Sequence, residues 1–434
     1  MDTSTMIETV DEDGMFRRIS GRILPVLMLA FFFSYLDRIN IGFIKLQMAA
    51  DLHFSDSVYG FGAGVLFLGY FIFEVPSNII LHRVGARRWI ARIMITWGVI
   101  SALTMFVRTP YEFYLVRFLL GLAEAGFIPG AIYYMSQWYP AERRGRAWGV
   151  FYIALACSGL IGGPVSGVVL TALSGVGGLA GWKWLILAEA VPTLVIGFYV
   201  FFGLPSTAAE AAWLTDGEKA RLGQLLHGAQ NTAPAERVGF ATLISGRMLA
   251  LTLIYFCFNA GLYGISFWMP SMIQSMGATT ALQIGLLSAI PGACAVAGLV
   301  IMGRHSDRHR ERRWHLTVCF LVAALGFILS VVWKNDLTLG MLALCVANMG
   351  IFSIPALFWT VPSSLLRGVT AAAAIASINA VGNLAGFFSP YMIGVIKDAT
   401  GQTSIALYVL AAMLVLGAIT LALLPGRLFE RAAR

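Results

Sequence analysis

RILPVLMLAFFFSYLDRINIGF, residues 22–43, is an apolar run interrupted by one acid and one base, Asp37 and Arg38. As a helix its 22 residues rise about 33 Å, enough to cross the hydrocarbon of a bilayer. Eleven further segments of similar character follow, near 58–81, 89–108, 112–136, 147–171, 185–204, 248–273, 283–303, 315–333, 338–362, 369–395 and 403–424. No ten-residue alternation of the kind that builds a membrane barrel is present, so helices must satisfy the backbone in lipid. The fold class expected is an all-α membrane protein of twelve transmembrane helices.

Composition agrees. The 434 residues are 58% hydrophobic and only 12% charged, where soluble domains carry about 25% charge; mean hydropathy is +0.78. The formal charge of +8 does not point to nucleic acid, because no basic stripe or aromatic-basic platform accompanies it. It marks loops. If both termini are cytoplasmic, 23 of the 30 Lys and Arg fall on that side and five (Lys45, Arg108, Lys183, Lys334 and Lys397) on the other, with Arg38 and Arg117 inside spans. That asymmetry predicts a multi-pass inner-membrane protein with cytoplasmic termini. The acidic start (Glu8, Asp11, Glu12, Asp13) before Arg17 and Arg18 is unlike a signal peptide. The five cysteines lie singly in apolar segments and form no Cys/His cluster, so neither disulfides nor a zinc site, and no cofactor, are expected.

The segments group as a tail (1–21), a six-span bundle (22–204), a polar linker (205–247), a second six-span bundle (248–424) and a tail (425–434). Within the linker, Thr215-Asp216-Gly217-Glu218 reads as a capping box opening a short amphipathic helix through Leu226. The halves also repeat weakly. After span two, Asn78 precedes His82-Arg83, Gly85 and Arg87-Arg88; after span eight, Gly303 precedes Asp307-Arg308 and further arginines. Corresponding loops in two halves suit parallel six-span repeats.

These loops resemble the G-x-x-x-D-R-x-G-R-R signature of the major facilitator superfamily. The second copy keeps Gly303, Asp307 and Arg308; the first has Asn78 and His82 in place of Gly and Asp but keeps Arg83, Gly85 and Arg88. A narrower resemblance covers nearly the whole chain. Tyr35-Leu-Asp37-Arg38-Ile-Asn40-Ile-Gly42-Phe43, Gly69-Tyr70 through Glu74-Val-Pro76-Ser77-Asn78, Arg117-Phe-Leu-Leu-Gly121-Leu-Ala-Glu124-Ala-Gly126-Phe, Gly181-Trp182-Lys-Trp184 and Gly261-Leu-Tyr263-Gly264 through Trp268 are similar to motifs of the anion:cation symporter family. That family includes tartrate, phthalate, hydroxyphenylacetate and sugar-acid permeases. The resemblance implies proton-coupled uptake of a small organic carboxylate, with the bilayer, protons and the anion as partners and a monomer as the working unit.

The residues themselves narrow the site. An ionisable group at a helix centre costs about 2.5–3.5 kcal/mol to insert, so those retained are candidates for function. They are Asp37, Arg38, Glu74, Arg117, Glu124 and Glu189. Asp37 and Arg38 point about 100° apart, whereas Arg117 and Glu124, seven apart, share a helix face. Spans one and four must pack together for the four to meet. The family resemblance implies that Asp37 and Glu124 carry protons and that Arg38 engages the anion. Arg117 and Tyr70 are added as substrate contacts; Glu74 and Glu189 are read as structural. The second half has no mid-span charge and would supply Tyr263, Thr360 and Asn383, with Phe358 and Trp359 shaping the pocket. Apolar surroundings favour a neutral acid and a nearby Arg favours the carboxylate, so substrate binding at Arg38 can tip the balance.

Span five contains Gly159-Leu-Ile-Gly162-Gly163-Pro164-Val-Ser-Gly167. Close helix packing around a Pro kink explains it, but it also resembles the antiporter motif of drug exporters, which makes export or anion exchange the alternative. No H-E-x-x-H, G-x-S-x-G or phosphate loop suggests an enzyme.

Overall fold

The computed structural model describes residues 11–228, 245–365 and 368–430, and every regular element among them is helical. Span one comprises Glu12–Ile39 and, after Asn40, Ile41–Asp51. Span two is Asp56–Val84, span three Ala86–Leu103, span four Pro110–Glu124 with Phe127–Ser136, span five Ala141–Ala172 and span six Gly181–Gly203. The second half has Gly246–Ser275, Ala281–His309, Arg313–Val332, Leu337–Phe358 with Thr360–Leu365, Gly368–Asn383 with Ala385–Thr400, and Ser404–Leu423 as spans seven to twelve. Eleven helices among the described residues are long and apolar enough to cross a bilayer. Span eleven, predicted at 369–395, is instead divided at Leu384 into two shorter helices. Span one starts ten residues before the predicted edge, because Asp11 accepts the Gly14 amide at 3.0 Å and no breaker intervenes.

Local chemistry sets many of the ends. Ser55 caps span two through the Val58 amide at 3.2 Å, and Thr109 and Glu112 form a reciprocal capping box on span four. The linker capping box also forms: the Thr215 hydroxyl accepts the Glu218 amide at 3.3 Å and Glu218 accepts the Thr215 amide at 3.0 Å, opening the helix Asp216–Gly228.

Spans two and eleven, and spans five and eight, pack along one another and join the halves. The span-five glycines are used here: a Cβ at Gly163 would lie 2.8 Å from the Gly285 carbonyl oxygen, and one at Gly167 2.7 Å from that of Ala281. This packing accounts for Gly163 and Gly167 of the motif.

The closure is concentrated on the side away from the chain termini. There the Asp398 carboxylate accepts the backbone amides of Asp56 (3.0 Å) and Ser57 (2.8 Å), so an acid of one half sits on the helix N-terminus of the other. Asp56 in turn pairs with Lys45 at 2.5 Å and with Lys397 at 3.2 Å. The Lys45 ammonium lies 3.6 Å from the Trp268 ring centre, and Tyr59 donates to the Phe267 carbonyl at 2.9 Å. Along span two Tyr59, Ala63, Leu66, Phe67, Tyr70, Ser77 and Leu81 are buried, whereas Phe71, Ile72, Val75 and Ile79, on another face of the helix, are exposed. The halves are sealed on the far side by these contacts. Replacing Gly394, whose Cβ would run into the Asp56 carbonyl, by Trp should unseal them. Spin labels at Arg108→Cys and Asn335→Cys in a cysteine-free background should then report a longer separation; an unchanged distance distribution would contradict this reading of the seal.

Candidate functional site

Span four breaks immediately after Glu124. Ala125 is extended (ψ 130°) and Gly126 takes φ +88°, a left-handed conformation that glycine adopts without strain. The freed Ala125 carbonyl accepts the Ser77 hydroxyl at 2.7 Å. The break leaves Glu124 at the end of its helix, facing span one. There Arg38 Nη2 lies 2.5 Å from Glu124 Oε1, which also accepts Ser34 Oγ at 3.0 Å. The two side chains are 11% and 3% exposed. The guanidinium sits 5.6 Å from the Phe67 ring centre and 5.5 Å from that of Tyr70. Phe67 meets Tyr263 of the second half at 4.4 Å between ring centres, and the Tyr263 hydroxyl is 3.5 Å from Asn383 Oδ1. Arg38 Nε is buried without a hydrogen-bond partner, an unspent donor beside an ion pair.

Asp37 turns the other way, as adjacency on a helix demands. Its carboxylate accepts Trp97 Nε1 at 3.0 Å and Ser101 Oγ at 2.6 Å, both from span three. Arg117 is buried, donates to the Gly62 carbonyl at 3.3 Å, and keeps Nη2 without a partner. Glu189 is buried and accepts the Asn40 side-chain amide. Spans one and four do pack at one site, but the four expected charges divide into neighbouring groups. Arg38 and Glu124 face the junction of the halves; Asp37 belongs to the interior of the first bundle.

In the second half, Tyr263 and Asn383 stand together at the junction, while Thr360 donates to the Leu357 carbonyl of its own span at 2.7 Å. Phe358 and Trp359 pack on Tyr255, with ring centres 5.2 and 4.8 Å away. Asn259, which sequence reading passed over, is buried with an unpartnered amide nitrogen. Its signal was the i, i+4, i+8 row Tyr255, Asn259, Tyr263 on one face of span seven. Glu74 also gains significance: Asn379 of span eleven donates to it at 3.4 Å across the halves.

The interruptions of spans one, four, ten and eleven fall at Asn40, Ala125-Gly126, Trp359 and Leu384. Each adjoins a predicted site residue: Arg38, Glu124, Thr360 and Asn383. Non-helical backbone at membrane depth is tolerated where it is buried in protein or lines a cavity, and broken helices frame transporter sites. The contacts that the loop residues make lie within their own halves. Gly85 ends span two at φ +92°, with Arg83 and Arg88 exposed, and Arg87 beside them binds the Leu204 carbonyl at 3.0 Å and Glu210 at 3.2 Å. Asp307 pairs with Arg312, Gly303 lies within the helix of span eight, and Arg308 is exposed.

Two six-span halves meet at a charged junction, and the Major Facilitator Superfamily profile matches residues 27–390. The chain belongs to the Major Facilitator Superfamily. It is a multi-pass membrane transporter and not an enzyme. Among facilitator relatives, NicT of Pseudomonas putida, named as a metabolite transport protein, is 43% identical over 96% of both chains. A protein of Agrobacterium vitis named for tartrate transport is 45% identical over 94% of both. The quinolone resistance transporter of Acinetobacter baumannii is 38% identical, again over 94% of both. The crystal structure of a D-xylose-proton symporter shares the facilitator fold, with a TM-score of 0.74 at 17% identity over 94% of this chain and 98% of that one.

Proposed function

We propose that this facilitator takes up a small organic carboxylate, of the tartrate, phthalate, hydroxyphenylacetate or sugar-acid kind, together with protons. It would act in the inner membrane with both termini cytoplasmic, and the seal described would then lie on the outer side. The observation that carries the reading is the buried Arg38–Glu124 pair at the junction of the halves. An incoming carboxylate can take Arg38 by the charge-assisted hydrogen bonds it now gives Glu124. Glu124 would then be a buried charge without its partner, a condition that costs several kcal/mol. Accepting a proton removes that cost, so anion and proton enter the same state. Tyr70 and Tyr263 supply ring faces and hydroxyls around the anion, with Asn383 and Asn259 as neutral polar contacts from the second half. Asp37, linked to the first bundle through Trp97 and Ser101, is the second proton carrier, and Arg117 is its nearby cation. Thr360 completes the pocket wall. Arg83, Gly85, Arg88, Gly303, Asp307 and Arg308 stand at the junctions of spans two and three and of spans eight and nine, which rearrange as the halves alternate.

The similarity to a quinolone resistance transporter favours export as the second reading. Counterflow in proteoliposomes separates the two. Exchange of at least one radiolabelled acid among tartrate, phthalate, hydroxyphenylacetate and aldonates is expected, with no exchange of its amide. Exchange of a quinolone with none of the acids would overturn the proposal in favour of export.

A further inference from the structure

Three of the chain's six histidines lie at the junction of spans eight and nine. His305 and His309 are one helical turn apart at the end of span eight, which stops where Arg310 takes a left-handed φ of +48°. Span nine starts three residues later, and Glu311 caps it by accepting the Trp314 amide at 2.8 Å and the His315 amide at 3.1 Å. This short reversal lays His315 back over the preceding turn. One ring nitrogen of each histidine lies within 4.8 Å of the other two. Ring centres are 4.1 Å apart for His305–His309 and 5.0 Å for His305–His315.

The nitrogens are already sorted. His315 Nδ1 is 2.7 Å from Glu311 Oε2, which directs its Nε2 toward His305 Nδ1, also 2.7 Å away. His309 Nδ1 is 2.9 Å from the His305 carbonyl oxygen, which leaves its Nε2 uncommitted. A ligand histidine whose other nitrogen is held by a carboxylate or a backbone carbonyl is the arrangement that orients imidazoles toward a metal. Tetrahedral nitrogen ligands at 2.0–2.1 Å stand about 3.3 Å apart, so small rotations of exposed His305 and His309 suffice to bring the set into register.

We propose that His305, His309 and His315 bind a transition-metal dication of the zinc class, with Glu311 orienting His315. The arginines of this loop oppose any cation held by charge alone, which excludes calcium and magnesium, whose sites are built of oxygen ligands. Neutral imidazoles instead bind zinc, nickel or copper through nitrogen donation. Such an ion would tie the end of span eight to the start of span nine across the turn that follows Asp307 and Arg308. Sequence reading expected no metal because it looked for cysteine patterns; the H-x-x-x-H spacing of His305 and His309 was the available signal.

Calorimetric titration of zinc chloride into detergent-solubilised full-length protein, purified without a polyhistidine tag, tests the site. One equivalent should bind, and magnesium should not compete. His305→Ala and His315→Ala should each weaken binding by at least about tenfold, Glu311→Gln by about 10- to 100-fold, and His53→Asn not at all. Cobalt should give visible d–d absorption that the His305→Ala and His315→Ala variants lose. Binding unchanged in those two variants, or no binding beyond the detergent blank, would overturn the proposal.

Discussion

Arg38→Ala should abolish carboxylate counterflow while the protein still folds and inserts. Losing a charge-assisted contact to a buried anion costs about 2–5 kcal/mol, roughly 30- to 4,000-fold in affinity. Arg38 is the cation of the proposed site, facing the junction of the halves, whereas Arg117 is turned into the first bundle on the Gly62 carbonyl. The stability cost is smaller than for an ordinary buried pair. Removing one partner generally costs about 3–5 kcal/mol, but Glu124 can take a proton and become neutral. Arg38→Lys keeps the charge and loses the fork that engages two oxygens; it should fall between. Thermal unfolding within a few degrees of wild type, together with absent counterflow, is the expected pair of results. Wild-type counterflow in Arg38→Ala would remove Arg38 from the site.

Glu124→Gln should separate movement of the substrate from movement of the proton. A neutral amide keeps a hydrogen-bond acceptor for Arg38 and Ser34 but cannot exchange a proton. Substrate exchange should persist, while the accumulation ratio driven by one pH unit falls about tenfold, the share of the one proton that Glu124 carries. In wild type, one proton per monoanion across one pH unit is worth 1.36 kcal/mol, about a tenfold ratio. Membrane potential adds about 2.3 kcal/mol per 100 mV only for protons in excess of the substrate's charge. Asp37→Asn tests the second carrier: if Asp37 moves a further proton, its loss should abolish the response to voltage and spare exchange.

The fold was legible because the bilayer imposes a length and a polarity on every span. Nothing in the middle of residues 22–43 except Asp37 and Arg38 needed a special explanation. Adjacency also predicted that these two would face different partners. What sequence could not supply was which partner each would find. The break at Ala125-Gly126 turns Glu124 toward Arg38, whereas Arg117, on the same helix, is absorbed by a carbonyl of span two. The far-side seal of Lys45, Asp56, Lys397 and Asp398 was hidden for a related reason. Its members are far apart in sequence, and their ends of spans one, two and eleven meet only when the halves close. Span eleven read as one segment because Leu384 interrupts the helix without a proline or glycine at the break itself.

Uptake by reconstituted wild-type protein of whichever acid shows counterflow, under an imposed pH gradient and with voltage clamped to zero, tests the central claim most directly. With the interior alkaline, internal acid should rise above its external concentration and collapse when a protonophore is added. Rapid counterflow without any such accumulation would show that the carboxylate moves independently of protons and would contradict the account.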